Sequence, residues 1–155
     1  MADNFVTNAG SGGSTFASDD VSSVQYPRVK RSYGRDGTAS DVGTLSAKFI
    51  SAATTNATSV KASAGVLYCI VAFNLNAAVR YLKLYNKASA PTVGTDTPVM
   101  TVPIPASATG AGFVLPIPPG VDFSTGLAFA LTTAAADADT GAVAANELFV
   151  HLIYV

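Results

Sequence analysis

From residue 44 onward the chain reads as short runs in which side chains change character at every second position, broken by Gly, Pro and Asn. Successive side chains of a strand point to opposite faces, so a period of two predicts β-structure. About eight strands are predicted, near 46–52, 58–63, 66–74, 79–86, 98–105, 112–117, 127–133 and 147–155. Turn signals separate them at Asn74-Leu75-Asn76, Ala90-Pro91, Gly94, Gly110, Pro118-Pro119-Gly120, Gly126 and Gly141. In 127–133, Leu127, Phe129 and Leu131 share one face, and Ala128, Ala130 and Thr132 the other. In 98–105, Met100, Val102 and Ile104 share a face. Pro103 and Pro105 cannot donate ladder hydrogen bonds, which predicts an edge strand. Residues 134–146 are rich in Ala, but Asp137, Asp139, Thr140 and Gly141 predict a long loop there. Eight strands in roughly 110 residues fit an all-β, two-sheet sandwich, with a jelly-roll-like order ahead of other Greek-key arrangements.

The last strand departs from the pattern of a free-standing sandwich. Leu148, Val150, Leu152 and Tyr154 form one face, and Phe149, His151, Ile153 and Val155 the other. An outward sheet face in water alternates apolar with polar. Here both faces are apolar, and strand 66–74 shows the same two-sidedness. Either these strands are central and covered, or their second face meets another subunit. Phe149, His151, Ile153 and Val155 are therefore read as a self-association surface. Composition agrees: charged residues make up only 12% of the chain, against about 25% in ordinary soluble domains. That leaves little charge to cover a free monomer.

Residues 1–43 differ from the rest. They hold Gly10-Ser11-Gly12-Gly13-Ser14, a cluster of four of the nine Lys and Arg residues and few large apolar ones. Phe5, Val6, Phe16, Val21, Val24, Tyr26 and Val29 are spread too thinly for a core. The expected organisation is an extended N-terminal attachment arm over 1–43 and a β-sandwich domain over 44–155. In the arm, Val21, Val24, Tyr26 and Val29 are candidate anchors on a partner, and Arg28, Lys30, Arg31 and Arg35 candidate ionic contacts to an acidic protein surface. Asp19, Asp20, Asp36 and Asp41 flank this basic cluster and cancel much of its long-range field, and the formal net charge is −1. No bulk positive field is present to hold a phosphate backbone, so nucleic acid is not an expected partner. No stretch is apolar and long enough to span a bilayer as a helix, so no membrane partner is expected. The start of the sequence has no basic region and apolar core of a signal peptide, which predicts synthesis in the cytoplasm without secretion.

The residues that carry chemistry are sparse. His151 is the only histidine and Cys69 the only cysteine, which excludes an intrachain disulfide and the usual zinc sets within one chain. His151 lies mid-strand among apolar neighbours, read as structural or interfacial. Cys69 sits in an apolar run and is read as an inert thiol. Glu147 is the only glutamate, so a glycosidase-type carboxylate pair would need Asp96, Asp122 or the 137/139 pair. Asp137-Ala138-Asp139-Thr140-Gly141 resembles the opening of a calcium loop but lacks the later bidentate Glu, so a hydrogen-bonded turn is expected. Gly34-Arg35-Asp36-Gly37 lacks the Lys-Ser/Thr of a phosphate loop. Tyr81, Lys83 and Tyr85 project from one face of strand 79–86, either as a ligand face for sugar or peptide or as a solvated sheet face. The expectation is a non-enzymatic chain with no cofactor, no metal and no catalytic residues.

Four segments carry a resemblance: DDVSSVQYPRVK at 19–30, GRDGT at 34–38, RYLKLYNKASAPTVGTDTP at 80–98 and FSTGL at 123–127. They resemble segments of tailed-bacteriophage virion structural proteins of the capsid decoration, or cement, type. The resemblance implies an N-terminal attachment segment, a β-sandwich body, a trimeric state and a place on the outer capsid surface bound to the major capsid protein. It supplies no catalytic residues. A head-fibre, neck or tail component with a glycan- or receptor-binding sandwich is the alternative.

Overall fold

A computed structural model describes residues 4–6, 15–21, 24–27, 44–106 and 109–155. The chain divides into two compact units, Met1–Tyr33 and Gly34–Val155; composition placed the division at 43. In the first unit, strands β1 (Asn4–Val6), β2 (Thr15–Val21) and β3 (Val24–Pro27) form an antiparallel sheet in the order β1-β2-β3. Phe5 lies opposite Phe16, and Val21 opposite Val24 across a two-residue connection. The segment expected to be an extended arm thus carries a paired ribbon. Pairing within the segment satisfies backbone groups that the expectation left to a partner.

The second unit holds eight strands, at the positions the alternation predicts: β4 (Leu45–Ile50), β5 (Thr58–Lys61), β6 (Gly65–Asn74), β7 (Arg80–Asn86), β8 (Met100–Ile104), β9 (Ala111–Phe123), β10 (Leu127–Thr132) and β11 (Leu148–Tyr154). They build two four-stranded antiparallel sheets, β5-β10-β7-β8 and β4-β11-β6-β9. Every connection crosses from one sheet to the other except β7–β8. This is the strand order of a jelly roll. As Pro103 predicts, β8 is an edge strand, paired on one side only, with β7.

One element differs from expectation. Pro118-Pro119-Gly120 is read from sequence as a turn, yet β9 runs through it to Phe123. Pairing with β6 jumps from Pro116 opposite Cys69 to Val121 opposite Leu67, so residues 117–120 sit as a bulge beside Tyr68. An edge strand tolerates this, because proline loses no ladder bond on its free side. Gly120 adopts φ +119° there, and a Cβ would collide with Val66 Cγ1, so no other residue fits this corner.

The core is the inward face of every strand pair. Leu67, Ile70, Leu148, Val150 and Leu152 from one sheet meet Leu82, Leu84, Ile104, Leu127, Phe129 and Leu131 from the other. Phe49 of β4 and Phe129 of β10 touch across the layers with ring centroids 4.5 Å apart. One end of the sandwich is closed by polar groups instead. The Glu147 carboxylate accepts from Arg80 Nε at 2.6 Å and Asn76 Nδ2 at 2.7 Å. Ser51 Oγ accepts from the backbone N–H groups of Glu147 and Leu148 and donates to the Ala144 carbonyl. Asn74 Nδ2 donates to the Ala78 carbonyl, while its Oδ1 accepts from Asn76 N–H. These bonds seal the end without stranding buried polar groups.

Candidate interaction surface

The two sheets treat their outward faces differently. On β5-β10-β7-β8, the outward residues of β10 are small: Ala128 lies opposite Tyr85, Ala130 opposite Lys83 and Thr132 opposite Tyr81. Small residues beside large ones leave a trough, and the loops over 87–99 and 133–147 settle into it. Tyr85 packs with Ala128, Ala130, Ala57 and Val93. Lys83 is fully buried. Its ammonium donates to the carbonyls of Ala136 at 2.6 Å, Asp139 at 3.3 Å and Asp137 at 3.5 Å.

This arrangement corrects the ligand-face reading. Tyr81, Lys83 and Tyr85 do share one side of β7, but Lys83 and Tyr85 lie beneath the protein's own loops and present nothing to solvent. Only Tyr81 remains partly exposed. Burial raises the Tyr85 phenol above its ordinary pKa, and the charges of Asp96 and Asp137 push the same way. The loop over 137–141 is the hydrogen-bonded turn that its missing Glu predicts. Its carbonyls converge on an internal cation, Lys83, and the Asp139 carboxylate accepts from Ala134 N–H. The neighbouring loop is pinned by Asp96, which bonds Lys87 and Thr92 N–H. The bond from Lys87 and then that from Thr92 hold the Asp96 carboxyl below the usual carboxylate range.

The outward face of β4-β11-β6-β9 has no such cover among the described residues of its unit. Its register gives three rows across the four strands: Ile50-Phe149-Phe73-Gly112, Lys48-His151-Val71-Val114 and Ser46-Ile153-Cys69-Pro116. Eight of these twelve side chains are apolar. Val114 is 67% exposed, Ile50 46% and Phe73 43%, and Phe149, Val71, Ile153 and Cys69 are half-buried. Strand and residue spacings give the grid a footprint on the order of 400 Å², the size of the largest apolar patch on a typical monomer. β11 and β6 are therefore central strands that are covered on the inner side and, among the described residues of their unit, bare on the outer. Phe149, His151 and Ile153 of the expected self-association set all lie on this face. Val155 follows β11 and exchanges two backbone hydrogen bonds with Val66.

The face has a distinct charge pattern. Lys48 lies opposite His151 in register, and the three rows contain no carboxylate. Asp122 stands farther along β9, opposite Val66. Sequence reading found the β11 half of this surface, because Phe149, Ile153 and Val155 alternate visibly. It missed Ile50, Phe73 and Val114. Which residues share a face across strands depends on register, and single-strand periodicity does not fix it.

Of the partner-binding residues expected in the arm, Val21, Val24 and Tyr26 lie in the ribbon, Tyr26 opposite Asp19. Arg28, Val29, Lys30, Arg31 and Arg35 lie outside the described residues. Among the described residues no group of three or more His, Cys, Asp or Glu side chains is placed to hold a metal, and no helix is long and apolar enough to cross a membrane. No protein-family model matches the chain, and no curated protein matches it.

Proposed function

We propose that this chain is a structural virion protein that binds the outside of a phage capsid and stabilises it by bridging shell subunits. The observation that carries the reading is the asymmetry of the sandwich. One sheet is covered by the chain's own loops, and the other keeps a largely apolar face on the order of 400 Å² without such cover among the described residues of its unit. A jelly roll serves viral shells, lectins and metabolic enzymes alike, so fold alone names no role. The bare face, the low charge and the separate N-terminal unit together fit a protein whose work is contact. The resembling segments at 19–30, 34–38, 80–98 and 123–127 support the phage assignment.

The mechanism is mechanical. A clamp that buries area across two or three shell subunits adds binding free energy at each junction. Repetition over a symmetric shell multiplies the effect through avidity. In this reading the N-terminal segment holds the shell, with the major capsid protein as partner. The open sheet face joins copies of the chain to one another, and the trimer implied by the resemblance is the proposed state. The alternative is a fibre, neck or tail component holding a glycan on Tyr81, Lys83 and Tyr85 or on the 134–146 loop; burial of Lys83 and Tyr85 weighs against the first of these platforms.

Cosedimentation with shells that lack the protein tests the proposal. Saturable binding that raises the temperature of shell rupture is the expected result. Removal of residues 1–40 is expected to abolish binding and leave the sandwich folded, because every described core residue lies in the second unit. Full-length protein that stays in the supernatant, or binds without moving the rupture temperature, sinks the reading.

A further inference from the structure

The three rows of the open face hold Lys48 and no carboxylate, and the opposite side of the sandwich carries the complement. Lys48 is exposed, and among the described residues its ammonium makes no ion pair or hydrogen bond. The loop laid over the other sheet exposes Ala134, Ala135, Ala136, Asp137 and Ala138. That is a small apolar surface with one carboxylate in it. The other described carboxylates are engaged: Glu147 with Arg80, Asp96 with Lys87, Asp139 with Ala134 N–H, and Asp122 has interactions of its own. Asp137 gives its carbonyl to Lys83, while its carboxylate bonds no described residue.

We propose that the occupant of the open face is a second copy of this chain presenting its alanine-rich loop, with Asp137 of one copy against Lys48 and His151 of the next. A two-fold contact of these rows with themselves brings the two Lys48 ammoniums to one interface with no carboxylate in the rows to pair them. Contact between two different surfaces pairs them. Such a contact is heterologous, so it propagates from copy to copy and closes into a ring where the rotation allows. The inference rests on the reading of the open face as a subunit contact. It adds which surface covers it and that the contact is head-to-tail.

Charge exchange tests it on the full-length protein. Sedimentation velocity reads assembly, and the rate of thiol labelling at Cys69, the sole cysteine, reads cover of the face. Lys48→Glu and Asp137→Lys are each expected to weaken association about tenfold or more and to speed Cys69 labelling. The double variant Lys48→Glu/Asp137→Lys is expected to recover both. Both positions are exposed, so melting temperatures serve as the check that each variant is folded. A monomeric wild-type protein overturns the inference, as does a folded double variant no better than the singles. Shell cosedimentation is scored on the same samples. A monomer that still binds and stabilises shells sinks the head-to-tail contact and leaves the shell reading standing.

Discussion

Replacing Arg80 with Ala is expected to lower the unfolding free energy by about 3 kcal/mol. Arg80 and Glu147 keep only 14% and 7% of their side-chain surface exposed, so truncating one leaves a largely desolvated charge behind. Asn76 Nδ2 still bonds the carboxylate, which places the loss at the lower end of the range for a broken buried pair. The same carboxyl gives a pH signature. Burial opposes its ionisation, but the bonds from Arg80, the Ala144 backbone and Asn76 outweigh burial and hold it below the ordinary glutamate range. A depressed folded-state value contributes stability that is complete above the unfolded value. That stability disappears as pH falls through the folded one. Wild-type melting temperature should fall between roughly pH 5 and pH 3, and Glu147→Gln should flatten that segment of the curve. Parallel curves for the two proteins below pH 5 would show that other carboxyls dominate the acid transition.

Lys83→Met is the second substitution with a large expected effect. The thioether keeps most of the apolar stem but removes every N–H donor. The carbonyls of Ala136, Asp137 and Asp139 are then desolvated around an empty centre, a loss of about 3 kcal/mol. Lysine is among the residues least often buried, and here it replaces the cation that a loop of converging carbonyls would otherwise recruit. Loss of that anchor frees the loop from β7. Limited proteolysis should therefore cut the variant within residues 134–142 under conditions that leave the wild-type protein intact. A variant that melts with wild type and resists cleavage there would mean that apolar packing alone seats the loop.

Much of this architecture is legible in the sequence, for a definite reason. Strand positions follow from alternation, and β8 announces its place at an edge through Pro103. The continuation of β9 through Pro118-Pro119-Gly120 is hidden, because the same three residues that make a turn also make an edge bulge. The burial of Lys83 and Tyr85 is hidden too. Both alternate as an outward face should, and only the paths of the loops over 87–99 and 133–147 decide that they are covered. The polar seal of Ser51, Asn74, Asn76, Arg80 and Glu147 unites residues up to 96 positions apart. Its one visible trace in the sequence is Glu147, a lone glutamate set just before a strongly apolar strand. Phe73 and Val114 lie in adjacent rows of the open face only because β6 and β9 pair in one particular register.

The strand order also governs how the protein comes into being. β10 is inserted between β5 and β7, and β11 between β4 and β6. The last two strands of the sandwich in chain order are thus interior members, one in each sheet: the β5-β10-β7-β8 layer is not continuous until residue 132 has been made, nor the β4-β11-β6-β9 layer until residue 154. Of the sandwich, a nascent chain halted before residue 127 holds only the β7–β8 and β6–β9 pairings, with β4, β5, β6 and β7 each still lacking a neighbour. Pairings between distant positions are slow to form. Open edges on a ribosome-bound chain invite neighbours on the same polysome. Production of this protein should accordingly be limited by yield of soluble chain during translation, with slower elongation or lower temperature raising it, even though the finished sandwich is well sealed.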